Sequence, residues 1–448
     1  MFREYKTFAS FASLCLFMLA APVLGEAAPA VPLADAEPLH MSLDDVIDRV
    51  KNHNLQLLIK QESVRRALEQ SYQRRAALLP QFSLRAEQSR RKLARGFTSE
   101  AVESPPFDSF GSRVQASLSV FDTQRYADFR IARLNHAIAR KDFDVATQDY
   151  LDQAIMLYFT QLRDLRSIEI AKGNLGREQA LLELASQQYE AGAAVKIDVT
   201  RAEVRVATEH RALMEAETEV ESSILELKSL LDIDLNQEVR LDNTIIEGIH
   251  APLSIKRYGS LEALTQLRPE LQSQQQVLKQ AELTKLAAAW QRLPTVELFA
   301  DWGYDSGKAF DNEEGEAWLV GLRATLPLWE GGRIAAEKRE AAAALRQNEY
   351  EMRDLRNRIE REFKFSIIEM DARYAQIEIA SDEVRLGRDE VEQALERYRE
   401  GLADNRELID AQNRLAGAER SHLRAIYLYG LSRLAFARSI GAVERVLE

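Results

Sequence analysis

Tyr189-Glu-Ala-Gly192, followed by Ala202, Arg205, Ala207, Arg211, Ala216 and Leu225, returns without a gap as Tyr398-Arg-Glu-Gly401, Ala411, Arg414, Ala416, Arg420, Ala425 and Leu434. The correspondence extends upstream. Leu79-Pro80 opens a short alternating segment that closes at Phe121-Asp122-Thr123-Gln124-Arg125, and Leu293-Pro294 opens another that closes at Trp329-Glu330-Gly331-Gly332-Arg333. Each copy reads as helix, β-hairpin, very long helix, turn, helix. A unit of this length is a duplicated supersecondary element, well beyond solenoid periods of about 20 to 50 residues.

Working outward, the spacing predicts a first repeat over 31–231, with helices over 42–79, 125–190 and 198–231 around a hairpin over about 81–120. A second repeat over 259–448 has helices over 260–293, 333–400 and 406–440 around a hairpin over 295–328. Between them, 232–258 carries Asp-Asn, Gly and Pro without periodicity and reads as a loop-rich belt. Ser42-Leu-Asp-Asp is a cap-like start, no breaker follows before Leu79, and Pro269 marks an irregular first turn or a kink in the equivalent helix of the second copy. In the helix over 333–400, Met352, Leu355, Ile359, Phe363, Ile367, Met370, Tyr374, Ile377, Val384, Val391, Leu395 and Tyr398 recur at intervals averaging near 3.5, a coiled-coil seam. Such a helix is on the order of 100 Å long. The helix over 125–190 has the same seam at Leu151, Ile155, Phe159 and Leu162, weakened locally by Gly173 and Gly176.

Arg3 and Lys6, the apolar stretch Phe8–Leu24 and the small-residue sites at Val23-Leu-Gly25 and Ala28-Pro-Ala30 read as a secretory signal peptide over 1–30. Cys15 is the only cysteine, and bulky Leu14 before it does not suit a lipid-anchored start. The mature chain is therefore expected to hold no disulfide or thiolate chemistry. No later window reaches the roughly 20 apolar residues of a membrane helix, so the chain either stays in solution after export or crosses a membrane as strands. The net charge of −12 is spread along the helices and lacks the basic footprint of a nucleic-acid binder.

After Pro80 and Pro294 the period changes to two. Val296, Leu298, Ala300, Trp302 and Tyr304, then Trp318, Val320, Leu322, Ala324, Leu326 and Leu328, alternate with Glu297, Asp301, Gly321, Arg323 and Thr325. Phe82, Leu84 and Ala86, then Val114, Ala116, Leu118 and Val120, alternate with Ser83, Arg85, Glu87, Arg113, Gln115, Ser117 and Ser119. Strands of about ten residues with one apolar and one polar face suit a transmembrane barrel; an amphipathic hairpin on a soluble core has the same pattern. All four tryptophans, Trp290, Trp302, Trp318 and Trp329, lie in or beside the second hairpin, as an interfacial girdle requires. Polar loops, Ser89–Ser112 and Asp305–Glu316, join the strands on one side. Four strands per chain cannot close a barrel, and unpaired edges are not tolerated in hydrocarbon, so closure demands oligomerisation.

The duplicated order, the run Leu326-Pro-Leu-Trp-Glu-Gly-Gly-Arg333, and Tyr398-x-x-Gly401 followed by Leu408-Ile-Asp410-Ala411 resemble the TolC family of outer-membrane exit ducts over nearly the whole mature chain. The resemblance implies a mainly α fold with a small β-barrel part: a homotrimer whose twelve strands close one barrel in the outer membrane of a Gram-negative bacterium. It implies a helical tunnel across the periplasm, where an inner-membrane pump of RND or ABC type and a periplasmic adaptor dock. It also implies that Asp198 and Tyr398 link neighbouring helices near a closed tip. Glu407 and Asp410 would form an acidic ring there, with Glu in the first position where the family has Asp. Gly192 and Gly401 would be the turns that receive the adaptor, and Phe82, Trp302, Trp318 and Trp329 the membrane-interface aromatics. The chain departs from the pattern at Ala403, where a basic latch is expected and is either absent or supplied by nearby Arg399 or Arg406, and at Thr123-Gln124, where Gly-Gly is expected.

Each residue also has a plainer reading. Glu407 and Asp410, three apart, share a helix face and would equally complement a helix dipole. Asp198 suits an N-cap, Tyr398 a seam position, and the acidic loop Asp311, Glu313, Glu314 and Glu316 a solvated surface. His40, His53, His136, His210, His250 and His422 have no ligand-like spacing, and no phosphate-binding or nucleophile motif is present, so no enzyme, metal site or cofactor is expected. The expectation is a passive exit duct for efflux or type I secretion. A periplasmic coiled-coil scaffold that never enters lipid is the alternative, and an autonomous diffusion porin a weaker third.

Overall fold

The computed structural model describes residues 38–92, 106–192, 194–243, 268–308, 315–400, 402 and 405–446. The expected signal peptide, Cys15, Gly401, Ala403, His250 and loop residues Asp311, Glu313 and Glu314 lie outside the described residues. In chain order the elements are β1 (Leu39–Met41), α1 (Leu43–His53), α2 (Leu55–Ala76), β2 (Gln81–Arg91), β3 (Phe107–Phe121), α3 (Thr123–Glu190) and α4 (Lys196–Leu230). There follow β4 (Val239–Leu241), α5 (Pro269–Trp290), β5 (Thr295–Ser306), β6 (Gly315–Thr325), α6 (Arg333–Arg399), α7 (Asn405–Ser439) and a 3-10 turn at Val443–Arg445.

The single helix expected over 42–79 is two helices, and the break is chemical. Asn54 leaves the helical region at φ −62° and ψ 118°. Its Oδ1 accepts the Leu57 N–H at 3.0 Å and its Nδ2 donates to the Leu230 carbonyl at 2.8 Å, so one buried amide ends α1, starts α2 and ties both to α4. In the second copy Arg268 takes the same conformation, φ −63° and ψ 125°, ahead of Pro269 at the first helical position, where the missing N–H has no partner to lose. Residues 260–267, expected to begin that helix, lie outside the described residues.

The helices α3 and α6, of 68 and 67 residues, are each about 100 Å long. Helix α3 runs unbroken through Gly173 and Gly176 because packing along its length outweighs a local propensity cost of about 1 kcal/mol per glycine. Long helix pairs with returning helix in each copy, α3 with α4 and α6 with α7, while α2 and α5 flank α3, and α5 also meets α6. The largest core gathers Leu151, Ile155, Tyr158 and Leu162 of α3 with Leu227 of α4, Met370 and Ile377 of α6, Tyr429 and Phe436 of α7, and Val46 and Val50 of α1. Each such side chain contributes about 1.5–3 kcal/mol when fully buried. The belt segment supplies an element that its sequence does not announce. Strand β4 pairs in parallel with β1, and the Asp242 carbonyl accepts the Tyr158 hydroxyl at 2.6 Å.

The four longer strands form one antiparallel sheet in the order β2-β3-β5-β6. Pairing continues to Arg91↔Phe107 and Asp305↔Gly315, so both hairpins reach further into the expected loops than alternation alone indicates. The sheet feeds the long helices in two ways. Asp122 caps α3 by accepting the Gln124 and Arg125 N–H groups at 3.0 Å, which replaces the glycine pair expected there. Ahead of α6, Gly331 and Gly332 turn the chain at φ 61° and 87°, a region costly for any residue with a Cβ.

Asn54→Ala removes the cap and leaves the Leu230 carbonyl without its donor, a loss of about 1–2 kcal/mol. A lower thermal midpoint in detergent, followed by circular dichroism, is expected; an unchanged midpoint would mean that packing alone imposes the break.

Candidate functional site

Two regions concentrate chemistry, the sheet and the far ends of the helical hairpins. On the sheet, alternation separates the faces. Phe82, Leu84, Val114, Leu298, Trp302, Trp318, Val320 and Leu322 all lie on one face and are exposed, Phe82 at 75% and Trp318 at 71%. Trp302 and Trp318 face each other across β5 and β6, Trp302 meets Tyr304 edge to face at 5.4 Å, and its indole N–H reaches Glu316 at 2.9 Å. Trp329, 86% exposed, follows exposed Leu328 at the helix end of the sheet. The opposite face is ionic. Arg113 of β3 is held between Asp301 at 3.2 Å and Asp305, while Arg323 stacks over the Phe299 ring at 4.8 Å and reaches Glu297 at 3.4 Å. Gly303 lies opposite Arg113 so closely that a Cβ would stand 2.0 Å from the Ser112 carbonyl oxygen. Among the described residues strands β2 and β6 each pair on one side only, so the sheet has two open edges.

At the other end, α3 closes with Gly192 at φ 73°. Helix α4 starts at Lys196 behind Val195, which makes no side-chain cap. Asp198 is therefore not the N-cap. It sits three residues in, its N–H on the Val195 carbonyl at 2.9 Å and its carboxylate 3.4 Å from Arg201. Tyr398 of α6 is buried with Leu181, Ala394, Leu408 and Ala411, and its hydroxyl has no hydrogen-bond partner among the described residues. Burial first, and then the negative charge of Asp198, push its pKa up. The fold thus brings Asp198 and Tyr398 into electrostatic reach from opposite repeats, without a direct hydrogen bond.

Glu407 and Asp410 lie exposed in the first turns of α7. Glu407 pairs across the turn with Arg397 at 3.0 Å, a basic residue at this tip besides Arg399 and Arg406. Sequence reasoning missed Arg397 because it is ten residues from its partner and on another helix; only the hairpin turn makes them neighbours. One turn further on, Arg414 grips Glu390 of α6 with bonds of 2.9 and 2.5 Å and lowers that carboxyl's pKa.

A second polar seam was also illegible. Glu178 of α3 is 4% exposed and lies 3.8 Å from Arg205 of α4. One oxygen of Glu178, one of Glu209 and the Arg205 Nε have no hydrogen-bond partner among the described residues. Burial raises the Glu178 pKa above its ordinary 4.5; Arg205 opposes this, Glu209 adds to it, and Arg177 opposes it weakly. Arg177 bonds Glu419 of α7 at 2.7 Å, which joins the two hairpins. Among the described residues no group of three or more His, Cys, Asp or Glu side chains could hold a metal, and no helix is long and apolar enough to cross a membrane.

This architecture, a small two-faced sheet continued by two helices about 100 Å long, each paired with a shorter returning helix, defines an outer-membrane conduit. The family model for "outer membrane efflux protein" matches residues 46–232 and 261–442, and the chain belongs to that family. It is similar to the alkaline protease secretion protein AprF of Pseudomonas aeruginosa, 23% identical over 81% of this chain and 77% of the relative. It is also similar to the pyoverdine export outer membrane protein OpmQ of Pseudomonas putida, 22% identical over 67% of this chain and 64% of the relative. The fold matches the crystal structure of VceC from Vibrio cholerae, with a TM-score of 0.77, 18% identity and coverage of 89% and 96% of the two chains. It also matches the CmeC channel of Campylobacter jejuni, with a TM-score of 0.79, 19% identity and coverage of 89% and 85%. The chain is an exit duct of the outer membrane with a large periplasmic portion, in a family of channels rather than enzymes. The scaffold and porin readings give way to it.

Because the folded chain holds the Glu178 proton more readily than the unfolded chain does, its stability falls as pH rises from about 4.5 through the raised value. Glu178→Gln is expected to raise the thermal midpoint at neutral pH and to flatten its decline as pH rises above about 4.5. A variant that unfolds with the wild-type pH profile would exclude Glu178 as a source of that dependence.

Proposed function

We propose that three copies of this chain close one twelve-stranded barrel and form the passive exit duct of a tripartite efflux or type I secretion system. The single observation that carries this reading is a lipid-suited sheet of four strands with two open edges. Each β6 then meets the β2 of the next copy, Phe82, Trp302, Trp318 and Trp329 lie at the membrane interfaces, and the ionic face lines the bore. After a signal peptide over 1–30, repeats over 31–231 and 259–448 build barrel and tunnel, and the segment over 232–258 belts the middle.

At the periplasmic tip, Asp198, Tyr398, Glu407 and Asp410 form the gate and the turns at Gly192 and Gly401 receive the adaptor. The pair Arg397–Glu407 supports a gate in which Glu407 is partly neutralised within its own chain, leaving Asp410 the freer acid. Energy comes from an inner-membrane pump of RND or ABC type, since no nucleotide-binding motif occurs in the sequence. Kinship with AprF and with the proteases secretion protein PrtF of Dickeya chrysanthemi favours protein cargo, and kinship with OpmQ a small exported molecule. A wide ionic bore leaves that choice to the pump.

Single-channel recording in planar bilayers tests the gate. Wild type should open in small steps that divalent cations block, and Glu407→Ala/Asp410→Ala should open in larger steps with that block lost. Conductance and block unchanged by the double substitution would keep the duct and remove the acidic ring.

A further inference from the structure

Just below the sheet, α2 and α3 enclose a groove of about 540 Å³ whose walls carry Arg75, Arg133, His136 and Arg140 beside Tyr72 and Phe129. Among the described residues no carboxylate lines it. Among the described residues none of the three arginines pairs with an acid; Arg133 instead lies over the Phe129 ring at 5.9 Å. Elsewhere on the same or neighbouring helices Arg125, Arg163 and Arg438 each hold an aspartate.

The duplication supplies an internal control. Aligned on Leu79-Pro80 with Leu293-Pro294, and along the long helices on Tyr189 with Tyr398, the second copy places Ala289, Ala342, Leu345 and Glu349 where the first has Arg75, Arg133, His136 and Arg140. Leu345 is buried there. The architecture is therefore built equally well without the basic cluster, and clustering like charges on one helix face is otherwise unfavourable.

Position and direction narrow the ligand. Arg133, Arg140, Leu151 and Tyr158 are separated by 7, 11 and 7 residues, near whole turns, and so share one face of α3. Further down, that face is covered by the belt, where Tyr158 bonds the Asp242 carbonyl. In the trimeric duct proposed above, on which this inference rests, the belt wraps the outside of the tunnel, so a groove on the same face opens outward. The Arg125 guanidinium on the Ala77 carbonyl, 3.1 Å, holds the start of α3 beside the end of α2, directly under the strands. Helical side chains lean toward the helix N-terminus, and α3 begins at the membrane, so its arginines lean toward the lipid headgroups.

We propose that this groove binds the phosphate of an anionic phospholipid in the periplasmic leaflet of the outer membrane, with Arg75 and Arg133 as its direct contacts, Arg140 adding to the field and His136 offering a ring N–H. Planar guanidinium groups suit a phosphate by bidentate bonding, and Tyr72 and Phe129 give the acyl-glycerol base an apolar flank. Basic pockets between helices at a membrane face hold anionic headgroups in this way.

Native mass spectrometry of the full-length protein in detergent, titrated with phosphatidylglycerol or phosphatidylcholine, tests the site. Wild type should retain phosphatidylglycerol at least about tenfold over phosphatidylcholine, and Arg75→Gln/Arg133→Gln should lose that preference. Arg346→Gln/Arg353→Gln on α6 removes the same charge elsewhere and should keep it. If the first double variant folds poorly, Arg133→Gln alone is read the same way. Equal retention of the two lipids, wild-type preference in the groove variants, or loss in the α6 variant would each overturn the proposal. So would calorimetric binding of inorganic phosphate that displaces phosphatidylglycerol, which would make the groove a site for free phosphate. Conductance is unaffected by any of these outcomes, so the duct reading is judged separately.

Discussion

Every backbone N–H and C=O placed in hydrocarbon must find a hydrogen bond, and this one demand organises the molecule. The sheet satisfies it across β2-β3-β5-β6 and leaves the outer edges of β2 and β6 to be met by other strands. Alternation follows from the same demand, because a closed sheet needs one face for lipid and one for the bore. The cross-strand pairs Trp302↔Trp318 on one side and Arg113 with Asp301 on the other are the two solvents of the wall written into adjacent residues. Gly303 lets the strands of the two hairpins approach where Arg113 needs room.

The helices answer a different demand. A rod of about 100 Å cannot bury its seam against one compact body, so each long helix is covered in series by several partners. Helices α2 and α5 cover the upper stretches, the belt with α1 the middle, and α4 and α7 the rest. The resulting core is a line rather than a globule. Polar joints interrupt it where the hairpins meet, Glu178 with Arg205 inside one hairpin and Arg177 with Glu419 between the two. Buried, incompletely bonded charge of this kind adds little stability and concentrates the energetic stakes at a few positions.

Duplication makes differences between the copies informative. Arg205 and Arg414 are equivalent in sequence, yet one meets a buried carboxylate at 3.8 Å and the other an exposed one bidentately. Asp122 caps α3 with a side chain, where the second copy turns on two glycines. Asn54 breaks a helix in one copy at the point where Pro269 begins one in the other. The two copies thus reach the same backbone path by different local chemistry, and residues without such a counterpart, among them the arginines of the α2–α3 groove, are free to serve something other than the fold.

The sequence by itself determined the repeat, the change of period from near 3.5 to 2, the two faces of the strands and the family, because each is a periodic or collinear property that neighbouring residues carry. Tertiary structure alone decided the rest. The break at Asn54 depends on the Leu230 carbonyl far along the chain, the β1–β4 pairing on two segments about 200 residues apart, and the place of Asp198 on where α4 begins. Arg397 became the partner of Glu407, and Glu178 a buried acid, only when helices from different stretches came side by side. Pair distances and burial are set by which helix faces which, and no local spacing encodes that.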